Sequence, residues 1–205
     1  MNRAEIKNWA KEKIKGHIWE LLVTMIVVSI LTTLTIGGKP VYNDGELTFT
    51  TSIPLGIFFY FVSVGFAYYM VKFITDKEYN FKDIFYFSKD YVRTFLVGLL
   101  NSIFIFLWAL LLIVPGIIKA FAYSLVTFIL ADKKYDDLGY LDVLKKSEKM
   151  MKGHKGDLFV FELSFLGWHI LAILTLGLLY IWLLPYYQTA KYKFLYDIKT
   201  NYEKK

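Results

Sequence analysis

Residues 158–185 read LFVFELSFLGWHILAILTLGLLYIWLLP, twenty-eight residues whose only acidic or imidazole side chains are Glu162 and His169. A helix that crosses the hydrocarbon core of a bilayer needs about 20 apolar residues. The stretch is too long for one crossing, and it carries its own break at Thr175-Leu176-Gly177, where glycine allows the backbone to reverse. It therefore reads as two spans, at about 158–174 and 178–196. Working outward, further apolar stretches lie at about 18–36, 54–74, 94–114 and 117–131, the last two parted by Pro115-Gly116. Proline lacks the N–H that a continuing helix needs, and glycine relaxes the turn. The expectation is an all-α polytopic transmembrane helical bundle of six spans, one integral membrane domain over residues 1–205.

Composition points the same way. Hydrophobic residues make up 56% of the chain and aromatics 19%, with a mean hydropathy of +0.42. A water-soluble fold of this size would leave much of that surface exposed and prone to aggregate. Cysteine is absent, which excludes disulfides, thiolate catalysis and Cys-ligated zinc. About sixteen charged and amphipathic residues precede the first apolar run, and no small-residue cleavage site follows it, so the first span is expected to be retained.

Basic residues decide between five spans and six. Five Lys and Arg precede Ile18, five lie from Lys72 to Arg93, seven in 132–157 and five from Lys191 onward; only Lys39 and Lys119 remain of the 24. With six spans the 22 share one face, which the positive-inside rule makes cytoplasmic, together with both termini. Five spans would send the C-terminal lysines outside. The opposite face then carries little besides the loop 37–53, whose segment Val41 to Leu47 reads as a short hairpin about Asp44-Gly45.

A weak internal repeat is visible. Lys15-Gly16-His17 is followed by Glu20-Leu21-Leu22-Val23, and Lys152-Gly153-His154 by Asp157-Leu158-Phe159-Val160 at the same offset. Apolar residues also recur at helical spacing before each pair of spans: Ile6, Trp9, Ala10 and Ile14; Phe81, Ile84, Phe85, Tyr91 and Phe95; Leu138, Leu141, Leu144 and Met151. Each set is flanked by lysines, the form of a helix lying in the membrane interface. The six spans are thus expected as three units, each an interfacial helix followed by a hairpin. A packed cytoplasmic subdomain would leave the same pattern.

Ile113-Val114-Pro115-Gly116-Ile117-Ile118, then Ala131-Asp132, Ser147 and Met151-Lys152-Gly153-His154, resemble one bacterial family of integral membrane proteins, catalogued as domain of unknown function 975. Gly167-Trp168, Leu174-Thr175-Leu176-Gly177, Pro185-Tyr186, Ala190 and Phe194 extend the resemblance, which is good from about 90 to 197. It implies six spans in a bacterial cytoplasmic membrane and supplies no activity. The Pro-Gly hairpin also looks like the membrane domain attached to some glycerophosphodiester phosphodiesterases, a non-catalytic part that lends no chemistry.

Ionisable groups inside a span are functional suspects, because placing them there costs a few kcal/mol or more. Glu20 and Glu162 each sit about one turn into a span. His169 is seven residues beyond Glu162, two turns on and on the same helical face. Lys119 follows the Pro-Gly turn, on the outer side of the expected topology. One reading is an intramembrane polar site of Glu162, His169, Asn101 and Lys119 that binds or relays a proton, ion or headgroup. The other has shallow carboxylates bonded to neighbouring lysines and a Lys119 that snorkels outward. Lys15, His17, Lys152 and His154 admit a lipid phosphate at the start of a span, or simply mark helix boundaries.

Catalytic motifs such as Gly-x-Ser-x-Gly, a Walker loop or His-Glu-x-x-His are missing from the sequence, and two interfacial histidines without a carboxylate at ligand spacing make a poor metal site. Neither catalytic residues, a metal nor a cofactor is expected. Aromatics at span ends (Trp19, Tyr68, Tyr69, Trp182, Tyr186, Tyr187) suit interfacial belts, so lysines among them imply anionic lipid at the cytoplasmic face and no nucleic acid. The expected function is a non-enzymatic cell-membrane protein: an envelope accessory, a scaffold or a protective factor against antimicrobial peptides, with a membrane-protein partner or further copies of itself. A small transporter or lipid-handling protein using the polar site is the alternative.

Overall fold

The computed structural model of the chain describes residues 3–36, 39–43, 46–50, 56–86, 91–111 and 113–204, with side chains for 3–30, 60–86, 91–108 and 114–204. The fold is helical: α1 Arg3–Lys13, α2 Ile18–Ile36, α3 Gly56–Ile74, α4 Tyr91–Leu111, α5 Ile113–Ala122, α6 Val126–Leu130, α7 Tyr140–Met150, α8 Lys155–Leu174 and α9 Tyr180–Glu203. Between α2 and α3, β1 (Lys39–Asn43) pairs antiparallel with β2 (Glu46–Thr50), Lys39 opposite Thr50 and Asn43 opposite Glu46. The expected turn at Asp44-Gly45 lies outside the described residues.

α3 and α9 form the centre. α3 buries Val64, Ala67, Met70 and Phe73, and α9 buries Ala190, Phe194 and Ile198; α6 adds Val126 and Ile129. Around them α1 lies on α9, α2 on α3, α7 on α4 and α6, and α8 on α5 and α9. The amphipathic reading of α1 is realised directly, since Ile6, Ala10 and Ile14, four residues apart, are all buried and so form one stripe of a helix. The outer surfaces of α4 and α8 stay apolar and open. Leu99, Ile103, Phe106 and Leu107 are exposed on α4, and Phe159, Leu163, Leu166, Ile170 and Ile173 on α8.

The expected break at Thr175-Leu176-Gly177 is a turn between two helices. α8 ends at Leu174 and α9 begins at Tyr180. In the intervening turn Gly177 (φ 87°) and Leu176 (φ 53°) adopt left-handed backbone. There the Gly177 N–H closes onto the Ala172 carbonyl at 2.8 Å, satisfying an acceptor that the helix end would otherwise leave open.

Three expectations need correction. Pro115-Gly116 is not the break between the third and fourth apolar stretches: α4 stops at Leu111, α5 starts at Ile113, and Pro115 is its third residue. N–H groups in a first helical turn have no intrahelical acceptor, so proline costs no hydrogen bond there. A second break falls instead at 123–125, between α5 and α6, where the Ser124 hydroxyl bonds the Phe121 carbonyl at 2.9 Å and competes with the helical ladder.

The third correction concerns the middle interfacial helix. Residues 81–85 form a 3-10 turn folded back along α3. Asn80 and Asp83 make a reciprocal capping box, Lys72 donates to both Asp83 oxygens at 3.0 and 2.8 Å, and Tyr86 stacks on Tyr68 with ring centroids 4.0 Å apart. Of the periodic residues Phe81, Ile84 and Phe85, Ile84 is fully buried, while Phe81 and Phe85 stay exposed. Two of the three proposed units, α1–α2 and α7–α8, have the expected amphipathic first helix.

Candidate functional site

Among the described residues, ion pairs gather at one end of the bundle, where the amino ends of α2, α4 and α8 meet the carboxyl ends of α3, α6 and α9. Lys13 pairs with Asp76, Lys199 with Asp132, Arg93 with Asp136 and Lys155 with Glu148. Burial works against the ionised Asp132, but the Lys199 ammonium and the Lys134 N–H outweigh it and hold the carboxyl below its ordinary range. Glu148 is held low as well, chiefly by its hydrogen bond from Lys119.

That bond relocates Lys119. Its Nζ lies 2.8 Å from Glu148 Oε1 and 5.3 Å from the ring centre of Trp108. Lys119 therefore groups with the 132–157 segment, not with the opposite, outer face as its place after the Pro-Gly turn implied. The reason is reach: a four-carbon stem runs along apolar surface while its head joins the nearest polar layer, here that of α7.

Glu162 and His169 do share one face of α8, and that face meets α9. Lys191 Nζ stands 2.8 Å from Glu162 Oε1, and the Tyr187 hydroxyl donates to Glu162 Oε2. The same Tyr187 ring meets the His169 ring edge-on at 5.3 Å, and His169 Nδ1 is 3.4 Å from the Tyr180 hydroxyl. Tyr187 thus fills the space between the two residues. Lys7 of α1 caps the seam, with Nζ 4.3 Å from the Phe165 ring centre; burial, with the nearby charges of Lys11 and Arg3, lowers its pKa.

Asn101 is elsewhere. It faces the half-buried Tyr60 across the α3–α4 seam, where both the Asn101 oxygen and the Tyr60 hydroxyl lack a hydrogen bond of good geometry. The four residues expected to line one polar site are therefore in three places: Glu162 with His169, Lys119 with Glu148, and Asn101 with Tyr60. Sequence reading missed Lys191 and Tyr187, for which only the helix pairing of α8 with α9 gives a signal.

The Lys-Gly-His repeat is structurally real. Adding 137 to the bounds of α1 gives those of α7, and adding it to Ile18 gives Lys155, the first residue of α8. Gly16 and Gly153 have φ of 84° and 86°, a left-handed backbone that favours glycine. His17 Nδ1 is 3.4 Å from Glu20, and His154 Nδ1 is 3.4 Å from Asp157. His17 also contacts the Tyr79 hydroxyl at 3.1 Å. Lys15 is engaged with Glu12 at 2.7 Å, while Lys152 borders a small cavity with His154, Asn201 and Tyr202. These local partners mark both triplets as joints between a surface helix and a long apolar one.

No curated protein and no solved structure matches the chain. The sequence profile of one family, described as "Protein of unknown function (DUF975)", matches residues 1–120 and 110–202. Together the two matches cover nearly the whole chain, including both Lys-Gly-His joints and the α8–α9 turn, and the protein belongs to that family.

Proposed function

We propose that the chain is a six-span protein of a bacterial cytoplasmic membrane, with both termini in the cytoplasm, that works without catalysing a reaction. Its role is that of an envelope accessory or scaffold, or of a protective factor against membrane-active peptides, through helix packing, partner proteins and anionic lipid. The observation that carries this is the contrast between the charged end and the open apolar flanks. Two described helices, in the windows Tyr91–Trp108 and Lys155–Leu174, are long and apolar enough to cross a membrane, and each window is only 22% buried. The core helix of a soluble protein would be mostly buried, and leucine-rich faces this large are stable in lipid. α2 and α3, at 19 residues each, reach about 28 Å, close to the roughly 30 Å hydrocarbon thickness.

Transport through a polar site is the less favoured reading, because Glu162 is already engaged by Lys191 and Tyr187 while Asn101 and Lys119 lie apart from it. Accordingly, Glu162→Gln and His169→Ala are expected to leave growth of the host under bacteriocin or detergent stress within about twofold of the parent strain. Loss of resistance with either variant, at unchanged protein level, would favour a working polar site.

Topology has a direct test, helped by the absence of native cysteine. Single cysteines at Gly45, Asp137 and Lys204 are probed in intact cells with a membrane-impermeant maleimide. Position 45 should label in intact cells, and 137 and 204 only after lysis. External labelling at 204 would rule out six spans.

A further inference from the structure

A cleft of about 410 Å³ opens where the charged ends of α3, α6 and α9 meet, and nothing in the proposal above uses it. Tyr68 of α3 and Tyr196 of α9 wall it, and Val71 and Phe128 supply an apolar base. Four lysines from three stretches of chain line it: Lys72 and Lys77, Lys133, and Lys199. Asp132 and Glu203 line it as well, so its net charge depends on which of these groups are already paired.

Lys72 is taken by Asp83, and Lys199 by Asp132, with Glu203 at 3.9 Å. Glu203 also accepts from the Tyr135 hydroxyl and lies 3.8 Å from Lys134. Both acids of the cleft are thereby occupied. Lys77 and Lys133 are exposed and have no ion partner among the described residues. Helix carboxyl ends attract lysine, but the effect fades within a turn, and these two lie beyond the ends of α3 and α6. The carbonyls nearby are also closed by backbone bonds, Lys77 N to Lys72 O at 3.1 Å and Ala131 N to Thr127 O at 3.0 Å. Two uncompensated ammonium groups thus flank a cleft with an apolar, aromatic interior, in the size range of small-molecule sites.

We infer that this cleft binds a phosphate-bearing ligand, with Lys77 and Lys133 on the phosphate oxygens and Tyr68 and Tyr196 against its carbon part. The phosphate belongs either to the head of an anionic glycerophospholipid or to a free phosphate compound. The lipid source rests on the membrane reading above; the free-phosphate source does not.

The full-length protein in a non-ionic detergent is titrated calorimetrically, at low ionic strength, with dihexanoyl phosphatidylglycerol, inorganic phosphate and net-neutral dihexanoyl phosphatidylcholine. Saturable binding of the first or second is expected, with phosphatidylcholine weaker by roughly tenfold. The double variant K77Q/K133Q should lose roughly tenfold in affinity, whereas K11Q/K145Q, at exposed lysines elsewhere, should lose little. A lipid site takes phosphatidylglycerol without competition from phosphate; a free-phosphate site takes both alike. Absence of saturable binding by either anion would overturn the proposal. So would an equal loss in K11Q/K145Q, the mark of a diffuse basic surface. Thermal melting of each variant guards against misfolding, and phosphate binding that persists beside external labelling at position 204 would retain the cleft while removing the six-span reading.

Discussion

Gly65→Ala is expected to abolish accumulation of the folded protein, or to lower its melting temperature in detergent more than any other single-methyl addition. An alanine Cβ at this position of α3 would stand 1.7 Å from the Ile84 carbonyl oxygen and 2.6 Å from its carbon. The obstacle is backbone, so no rotamer change relieves it. Moving the 3-10 turn away would break the Asn80–Asp83 capping box, the Lys72–Asp83 pair and the Tyr68–Tyr86 stack together. Adding a methylene to a packed interior commonly costs about 1–3 kcal/mol, and this case belongs at or above the top of that range. The gain in helix propensity from glycine to alanine, about 1 kcal/mol, has the opposite sign and is too small to compensate. Gly167→Ala on α8 is the matched control, since no atom lies within 4 Å of its added Cβ, and it should be neutral or slightly stabilising. Tryptophan-fluorescence melting with size-exclusion profiles reads both. If Gly65→Ala melts with the parent, residues 81–85 do not pack on α3 and the interfacial helix expected from their periodicity regains its standing.

That expectation shows where sequence reading stops. Phe81, Ile84 and Phe85 carry a helical apolar period, but period alone does not say that Ile84 packs on α3 while Phe81 and Phe85 stay exposed. The deciding feature is a notch at Gly65, sixteen positions before Phe81, and nothing local announces it. The α8–α9 turn was legible because its signal is local: a threonine, a glycine and an apolar run too long for one crossing. The Glu162–His169 face was legible for the same reason, from spacing along one helix. Their partners were not, because Tyr187 and Lys191 reach Glu162 only once α9 packs back on α8. The grouping of Lys119 with Glu148 was not legible, because hydropathy assigns a residue by the position of its backbone. Its ammonium is free to settle a side-chain length away, beside Glu148.

Arg93 gives the second large effect, and it separates a structural role from a mere topological charge. In the count of basic residues it is one of 22 on the expected cytoplasmic face, where lysine would serve as well. In the structure its side chain is 5% exposed, and its guanidinium donates to the carbonyl oxygens of both Tyr135 and Asp136. The connection it grips is tied on its other side to α9, through Lys199–Asp132 and Tyr135–Glu203. Arg93 therefore joins the amino end of α4 to the α6–α7 connection and, through it, to the centre of the bundle. Hydrogen bonds to a charged group are worth about 1.5–3 kcal/mol each net, so Arg93→Met is expected to cost roughly 3 kcal/mol or more and to release residues 132–136 from both neighbours. Arg93→Lys should recover little of this, because an ammonium is a point donor and cannot span two carbonyls as a planar fork does. Melting of R93M and R93K is compared with that of K133M, which makes no ion pair among the described residues and should behave like the parent. Maleimide reactivity of a cysteine at Ala131, 7% exposed at the start of the connection, should rise in both Arg93 variants as the connection loosens. An R93K protein that melts with the parent and keeps position 131 protected would reduce Arg93 to one positive charge among the 22.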